Sequence, residues 1–175
     1  MKKLSVLMLM LLVSTSAYAQ RGSVRSTNDF SSSMNGTSVT GYLGFGQGAL
    51  NIGADFEAAM SSDAGIGGYF MLLTDAERSN VTIRPQVIAF GAEAKVHYRP
   101  GQWDFYGTPG FGIAMIDDNN NDETTFGPSM RIGVLYALTP SLSVGLEHAT
   151  FFNWFSKDVN AESLETSNAA FRMTF

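Results

Sequence analysis

The stretch FGPSMRIGVLYALTPSLSVGLEHATFFNW, Phe126–Trp154, decides the fold. Phe126, Pro128, Met130, Ile132, Val134, Tyr136 and Leu138 occupy every second position, with Ser129, Arg131 and Gly133 between them. After Thr139-Pro140-Ser141 the alternation restarts with Leu142, Val144 and Leu146, separated by Ser143, Gly145 and Glu147. Successive side chains of a strand point to opposite faces, so a period of two sustained this long predicts β structure. The Thr-Pro-Ser break is short enough for a tight turn, and the two runs form a hairpin. One face of that hairpin is apolar; the other carries Gly, Ser and charge.

The same pattern extends in both directions. Upstream, strands are expected over about Thr37–Gly46, Ala49–Ala59, Ala64–Leu73, Ile83–Tyr98 and Trp103–Met115. In the second of these, Leu50, Ile52, Ala54, Phe56 and Ala58 alternate with Asn51, Gly53, Asp55 and Glu57. In the fourth, Ile88, Phe90, Ala92, Ala94, Val96 and Tyr98 oppose Ala89, Gly91, Glu93, Lys95 and His97. The third is Gly-rich and its facing is ambiguous. A final strand holds Ala169, Phe171, Met173 and Phe175, with Ala170, Arg172 and Thr174 between them. That makes eight strands. Connections of two kinds alternate. Ser61-Ser62-Asp63, Arg99-Pro100-Gly101 and Thr139-Pro140-Ser141 are short, whereas 74–80, 117–125 and 156–167 are longer, acidic or polar loops. The first connection on the long-loop side, Gln47-Gly48, departs from this rule and makes the bounds of the first strand doubtful.

Composition sets the compartment. Met1-Lys2-Lys3, an apolar run over 4–13 and Ala17-Tyr18-Ala19 have the form of a secretory signal cleaved after Ala19. The alternative is a retained N-terminal anchor. Cleavage removes Lys2 and Lys3, leaving nine basic residues against sixteen acidic, a formal charge of −7. That balance argues against nucleic acid as a partner. The absence of cysteine excludes a disulfide scaffold in an exported chain. No later segment reaches the ~18 apolar residues of a membrane helix. The expected organisation is a signal over 1–19, a flexible periplasmic tail over 20–36 and one β domain over 37–175.

In hydrocarbon every backbone polar group must be paired, so a spanning β structure has to close on itself. Its exterior is then apolar and its interior polar. The charged alternates Asp55, Glu57, Glu93, Lys95, Asp104, Arg131, Glu147 and Arg172 all fall on the Gly-rich face, as expected for a lumen. Tyr98, Trp103 and Tyr136 would lie at one membrane interface, and Phe126, Phe152 and Trp154 at the other. The expected fold is therefore an all-β, eight-stranded antiparallel up-and-down transmembrane β-barrel. A secreted soluble sandwich is the alternative for the same strands. Four inward bases, Lys95, Arg131, Arg172 and the rim residue Arg84, nearly balance five acids. An eight-stranded interior is filled by its own side chains, so a lumen plugged by paired charges is expected rather than a pore.

Residues 105–112 (FYGTPGFG) and 135–143 (LYALTPSLS) resemble the small outer-membrane barrels of the OmpA/OmpX-like family, and the resemblance extends through the terminal strand. It implies an integral bacterial outer-membrane protein in contact with lipid and lipopolysaccharide. The alternation Phe171, Met173, Phe175 is similar to the signal that the barrel assembly machinery reads in that family. A monomer with no cofactor and a structural, envelope-stabilising or surface-interaction role is what it implies about function.

Two features stand outside that reading. His148 faces the apolar side, and Thr150 follows two positions later. This resembles the lipid A deacylase barrels, whose motif runs His-x-Ser-Asn; here Ala149-Thr150-Phe151 replaces it and no nucleophilic serine is placed. A His with a hydroxyl can act as base and nucleophile, so His148 and Thr150 are the candidates of an enzymatic alternative. A small channel is the third reading. Asp118-x-Asn120-x-Asp122 has the spacing of half a calcium loop, but Glu123 stands at the Gly position and Ser129 at the closing Glu. A solvated acidic loop is expected there, with no metal site.

Overall fold

The computed structural model describes residues 36–46, 48–74, 86–118, 121–152 and 163–175, with backbone only at 118 and 121–123. The expected leader 1–19, the tail up to residue 35, Arg84 and Trp154 lie outside the described residues. The elements are β1 (Ser38–Gly46), β2 (Ala49–Ala59), β3 (Ala64–Thr74), β4 (Gln86–Tyr98), β5 (Trp103–Asp118), β6 (Asn121–Thr139), β7 (Leu142–Phe152) and β8 (Ser163–Thr174). Each strand pairs antiparallel with its neighbours in sequence. β1 and β8 close the ring, from Ser38 opposite Thr174 to Phe45 opposite Ser167. A closed, eight-stranded, up-and-down barrel results, in which no sheet edge is left to seek a partner.

The alternation read from the sequence sorts the side chains. Phe45, Ile66, Phe90, Phe111, Ile132, Leu146 and Phe171 stand on the outside, while Asp55, Glu93, Lys95, Asp104, Arg131, Glu147 and Arg172 are buried inside. An apolar belt around a polar interior inverts the arrangement of a water-soluble barrel. Hydrocarbon outside explains it, because apolar rings there cost nothing and charges there cost much.

The ends differ. The start of β1, the C-terminal Phe175 and the turns after β2, β4 and β6 share one end. There Thr139 Oγ1 accepts hydrogen bonds from the backbone N–H groups of Ser141 and Leu142, at 3.3 and 3.0 Å, and folds the chain back beside Pro140. At the opposite end Gly46 pairs directly with Ala49. Gly48, at φ 74°, adopts the left-handed conformation that such a tight two-residue link needs. The short first connection is therefore a true hairpin turn, and the strand bounds around it hold.

Three expectations are corrected. The presumed loop 117–125 is mostly strand: β5 runs to Asp118 and β6 starts at Asn121, with Asp117 opposite Asp122 and Asp118 opposite Asn121. The Asp118-x-Asn120-x-Asp122 spacing therefore falls at a strand-paired hairpin end, with residues 119 and 120 outside the described residues. The presumed loop 156–167 likewise ends early, since β8 begins at Ser163. Finally, the interior is not polar throughout. At the end away from Phe175, Leu73, Val87, Ala89, Ala114, Ile116 and Phe151 point inward and form a buried apolar layer with Ala49 and Met71.

Candidate functional site

Glycine on the inner wall makes the lumen network possible. β3 separates β2 from β4, yet β2 carboxylates reach β4 cations across it. Gly65 explains this: a Cβ there would stand 2.4 Å from Glu57 Oε1, so any side chain would block the crossing. Gly133 does the same for Tyr106, whose ring would lie 2.3 Å from an added Cβ. The Gly-rich face is thus the volume complement of the large polar side chains, not a flexible surface.

Lys95 Nζ lies 3.0 Å from Asp55 and 3.7 Å from Glu57. Arg131 contacts Asp55 at 3.1 Å, Glu147 at 3.6 Å, and Glu93 through a short bond. Tyr106 donates its hydroxyl to Glu147 at 2.8 Å. Arg131 also lies over the rings of Tyr42 and Tyr69, 5.1 and 5.4 Å from their centroids. Toward the terminal end, His97 bridges Glu57 and Asp104, and Asp104 binds Arg99 at 3.4 Å and Arg172. All eight lumen residues singled out by alternation therefore meet in one connected network.

Sequence reasoning missed four members, among them Arg99, which it read only as part of a turn. Tyr42 and Tyr69 sit on strands whose inner face carried no charge pattern. His97 was placed inside but given no partner, because its partners lie 40 residues upstream and seven downstream. Between the network and the apolar layer is a cavity of about 20 Å³, room for a single water, bordered by Tyr42, Asn51, Arg131, Phe151 and Asn168. Two filled layers of different chemistry follow one another along the axis.

Outside, the aromatic candidates Tyr98, Trp103 and Tyr136 cluster at the terminal end, with Trp103 packed edge-on against Tyr136 at 5.0 Å. Phe126 and Phe152 are exposed near the other end, and Phe171, Met173 and Phe175 line the outer face of the terminal segment. His148 faces outward as its register required. Thr150 shares its strand face but opposes Glu165. The motif places no nucleophilic serine beside His148, but the strand register brings one there. Ser167, directly across in β8, places Oγ 3.2 Å from His148 Nδ1. The pair borders an open groove of about 800 Å³ whose walls include Leu43, Phe45, Ile132 and Leu146. Ser167 could not be found from sequence, because it was assigned to a loop and the contact depends on strand register.

A family model described as the outer membrane protein beta-barrel domain matches residues 5–174. The solved structures similar to this chain include neisserial surface protein A, with a TM-score of 0.62 at 13% identity over 79% of this chain and 94% of that one. Ail, the attachment invasion locus protein of Yersinia pestis, matches with a TM-score of 0.52 at 16% identity, over 81% of this chain and 100% of that one. The outer membrane enzyme PagL matches with a TM-score of 0.50 at 15% identity, over 79% and 99%. Such identities establish a shared fold and no more. At the level of sequence no curated protein matches.

Proposed function

The chain belongs to the outer-membrane β-barrel family, and on that premise we propose that it is a structural, envelope-stabilising or surface-interaction barrel whose lumen is closed. It works as a monomer, is delivered by a signal cleaved after Ala19, and is inserted by the barrel assembly machinery through Phe171, Met173 and Phe175. Its belt contacts lipid and lipopolysaccharide, and its outer loops meet a surface partner. The observation that carries this reading is the filled interior, where paired charges and then an apolar layer occupy the space a solute would need. Fractionation and planar-bilayer recording test it together. The protein should be recovered with the outer membrane, migrate differently on gels when unboiled, and give no steady conductance. A large, steady conductance makes it a channel, and recovery in the soluble periplasm removes it from the membrane altogether.

One contact favours a second reading, hydrolysis of a lipid acyl ester at the outer face. Ser167 would attack the ester carbonyl while its proton passes to His148 Nδ1. The alcohol would leave with that proton, and water would release the fatty acid from Ser167. Support comes from the 3.2 Å His–Ser contact beside an apolar groove facing the bilayer. Incubation of the purified barrel with lipid A, followed by mass measurement, separates the two readings. The structural reading expects no mass change. Loss of an acyl chain by the unmutated protein, abolished in Ser167→Ala, would establish the enzyme.

A further inference from the structure

His97 sits second from the end of β4, buried, with every polar atom of its ring engaged. Nδ1 lies 2.9 and 3.0 Å from the two carboxylate oxygens of Asp104, and Nε2 lies 2.8 Å from Oε1 of Glu57. Its backbone N–H donates to the carbonyl of Asp63 at 2.9 Å, which fixes the ring's origin. A neutral imidazole has one donor nitrogen and one acceptor nitrogen. Here both nitrogens face carboxylate oxygens. Neither carboxylate is free to supply the missing hydrogen, because each is held by other cations: Glu57 by Lys95, Asp104 by Arg99 and Arg172. Only an imidazolium, donating from both nitrogens, satisfies the arrangement.

We propose that His97 is a charged tie, an imidazolium that joins β2 to β5 across β4 by donating to Glu57 and Asp104 at once. The proposal rests on the closed-lumen reading and names the contact that holds its terminal end. Charge in the network points the same way. The carboxylates of Asp55, Glu57, Glu93, Asp104 and Glu147 face Lys95, Arg99, Arg131 and Arg172, and a charged His97 is the cation that brings the two sets level. Other groups packed around the ring are Tyr106 of β5, 6.2 Å away between centroids, and Ser38 of β1, which donates to Glu57. β3 contributes glycine there and no charge.

Two measurements on the full barrel in detergent decide the matter. The chain has two histidines, so 15N-histidine spectra assign simply, with His148→Gln identifying the second. At neutral pH the His97 ring should carry hydrogen on both nitrogens; a single neutral tautomer in the folded barrel overturns the proposal even if the lumen remains closed to ions. Second, the urea midpoint at neutral pH should be lower in His97→Gln, whose amide donates from one nitrogen only, than in the unmutated protein, and His148→Gln should leave it unchanged. A midpoint in His97→Gln equal to that of the unmutated protein also overturns the proposal.

Discussion

Replacing Arg131 by methionine should lower the unfolding free energy of the barrel in detergent by about 3–5 kcal/mol, the cost of leaving buried carboxylates without their cation. The size follows from the number of groups one side chain serves. Arg131 contacts Asp55, Glu93 and Glu147, and its guanidinium lies over two tyrosine rings. Without it, among the described residues Asp55 keeps Lys95 at 3.0 Å, but Glu93 retains only a distant Lys95 at 4.0 Å and Glu147 only the Tyr106 hydroxyl. Methionine preserves length and bulk, so lost packing contributes little. The adjacent residue supplies the control. Ile132 points into lipid, 54% exposed, and Ile132→Val should move stability by less than about 0.5 kcal/mol. Urea titration of both variants, followed by gel mobility, reads the difference. A neutral Arg131→Met beside a damaging Ile132→Val would mean that the two faces of β6 are inverted.

How much of this was legible follows from what each face of a strand carries. Where an apolar face opposes a polar one, as in β2, β4 and β6, alternation gave the strand, its facing and its lumen residues. It failed where both faces share one character. From Ser163 to Asn168 the outward Ser163, Glu165 and Ser167 are as polar as the inward Thr166 and Asn168, so the start of β8 read as loop. The acidic run from Asn121 to Thr125 failed for the same reason. β3 failed in the opposite sense: Tyr69-Phe70-Met71-Leu72-Leu73 is apolar on both faces because its inner face enters the apolar layer. Partners are less legible than members. Glu93 and Glu147 were foreseeable for Arg131 as inward acids, but Asp55 reaches it only through the spatial order of the strands. The pairing of His148 with Ser167 likewise exists only in the register of β7 against β8. Reading a membrane barrel from sequence recovers the wall before it recovers the contacts.

That apolar layer is the source of the second large effect. Phe151, on the inner face of β7 and 2% exposed, fills the centre of a layer it shares with Leu73, Val87 and Ile116, and Leu164 packs against the same group. Truncation to alanine deletes an aromatic ring from a site walled by backbone ladders that cannot collapse inward. The cavity should remain open at a cost of about 3–5 kcal/mol. Phe152→Ala, one residue on and facing outward at 37% exposure, should cost clearly less, because lipid chains can fill the space. Conductance separates this layer's contribution to stability from its contribution to closure. Below the vacated ring, Arg131, Asp55, Glu93 and Lys95 still span the lumen, so Phe151→Ala should be markedly less stable in urea yet pass no steady current across a planar bilayer. Steady current through Phe151→Ala alone would show that the charged network is permeable to hydrated ions and that the apolar layer is the only barrier, which would reverse the roles of the two layers.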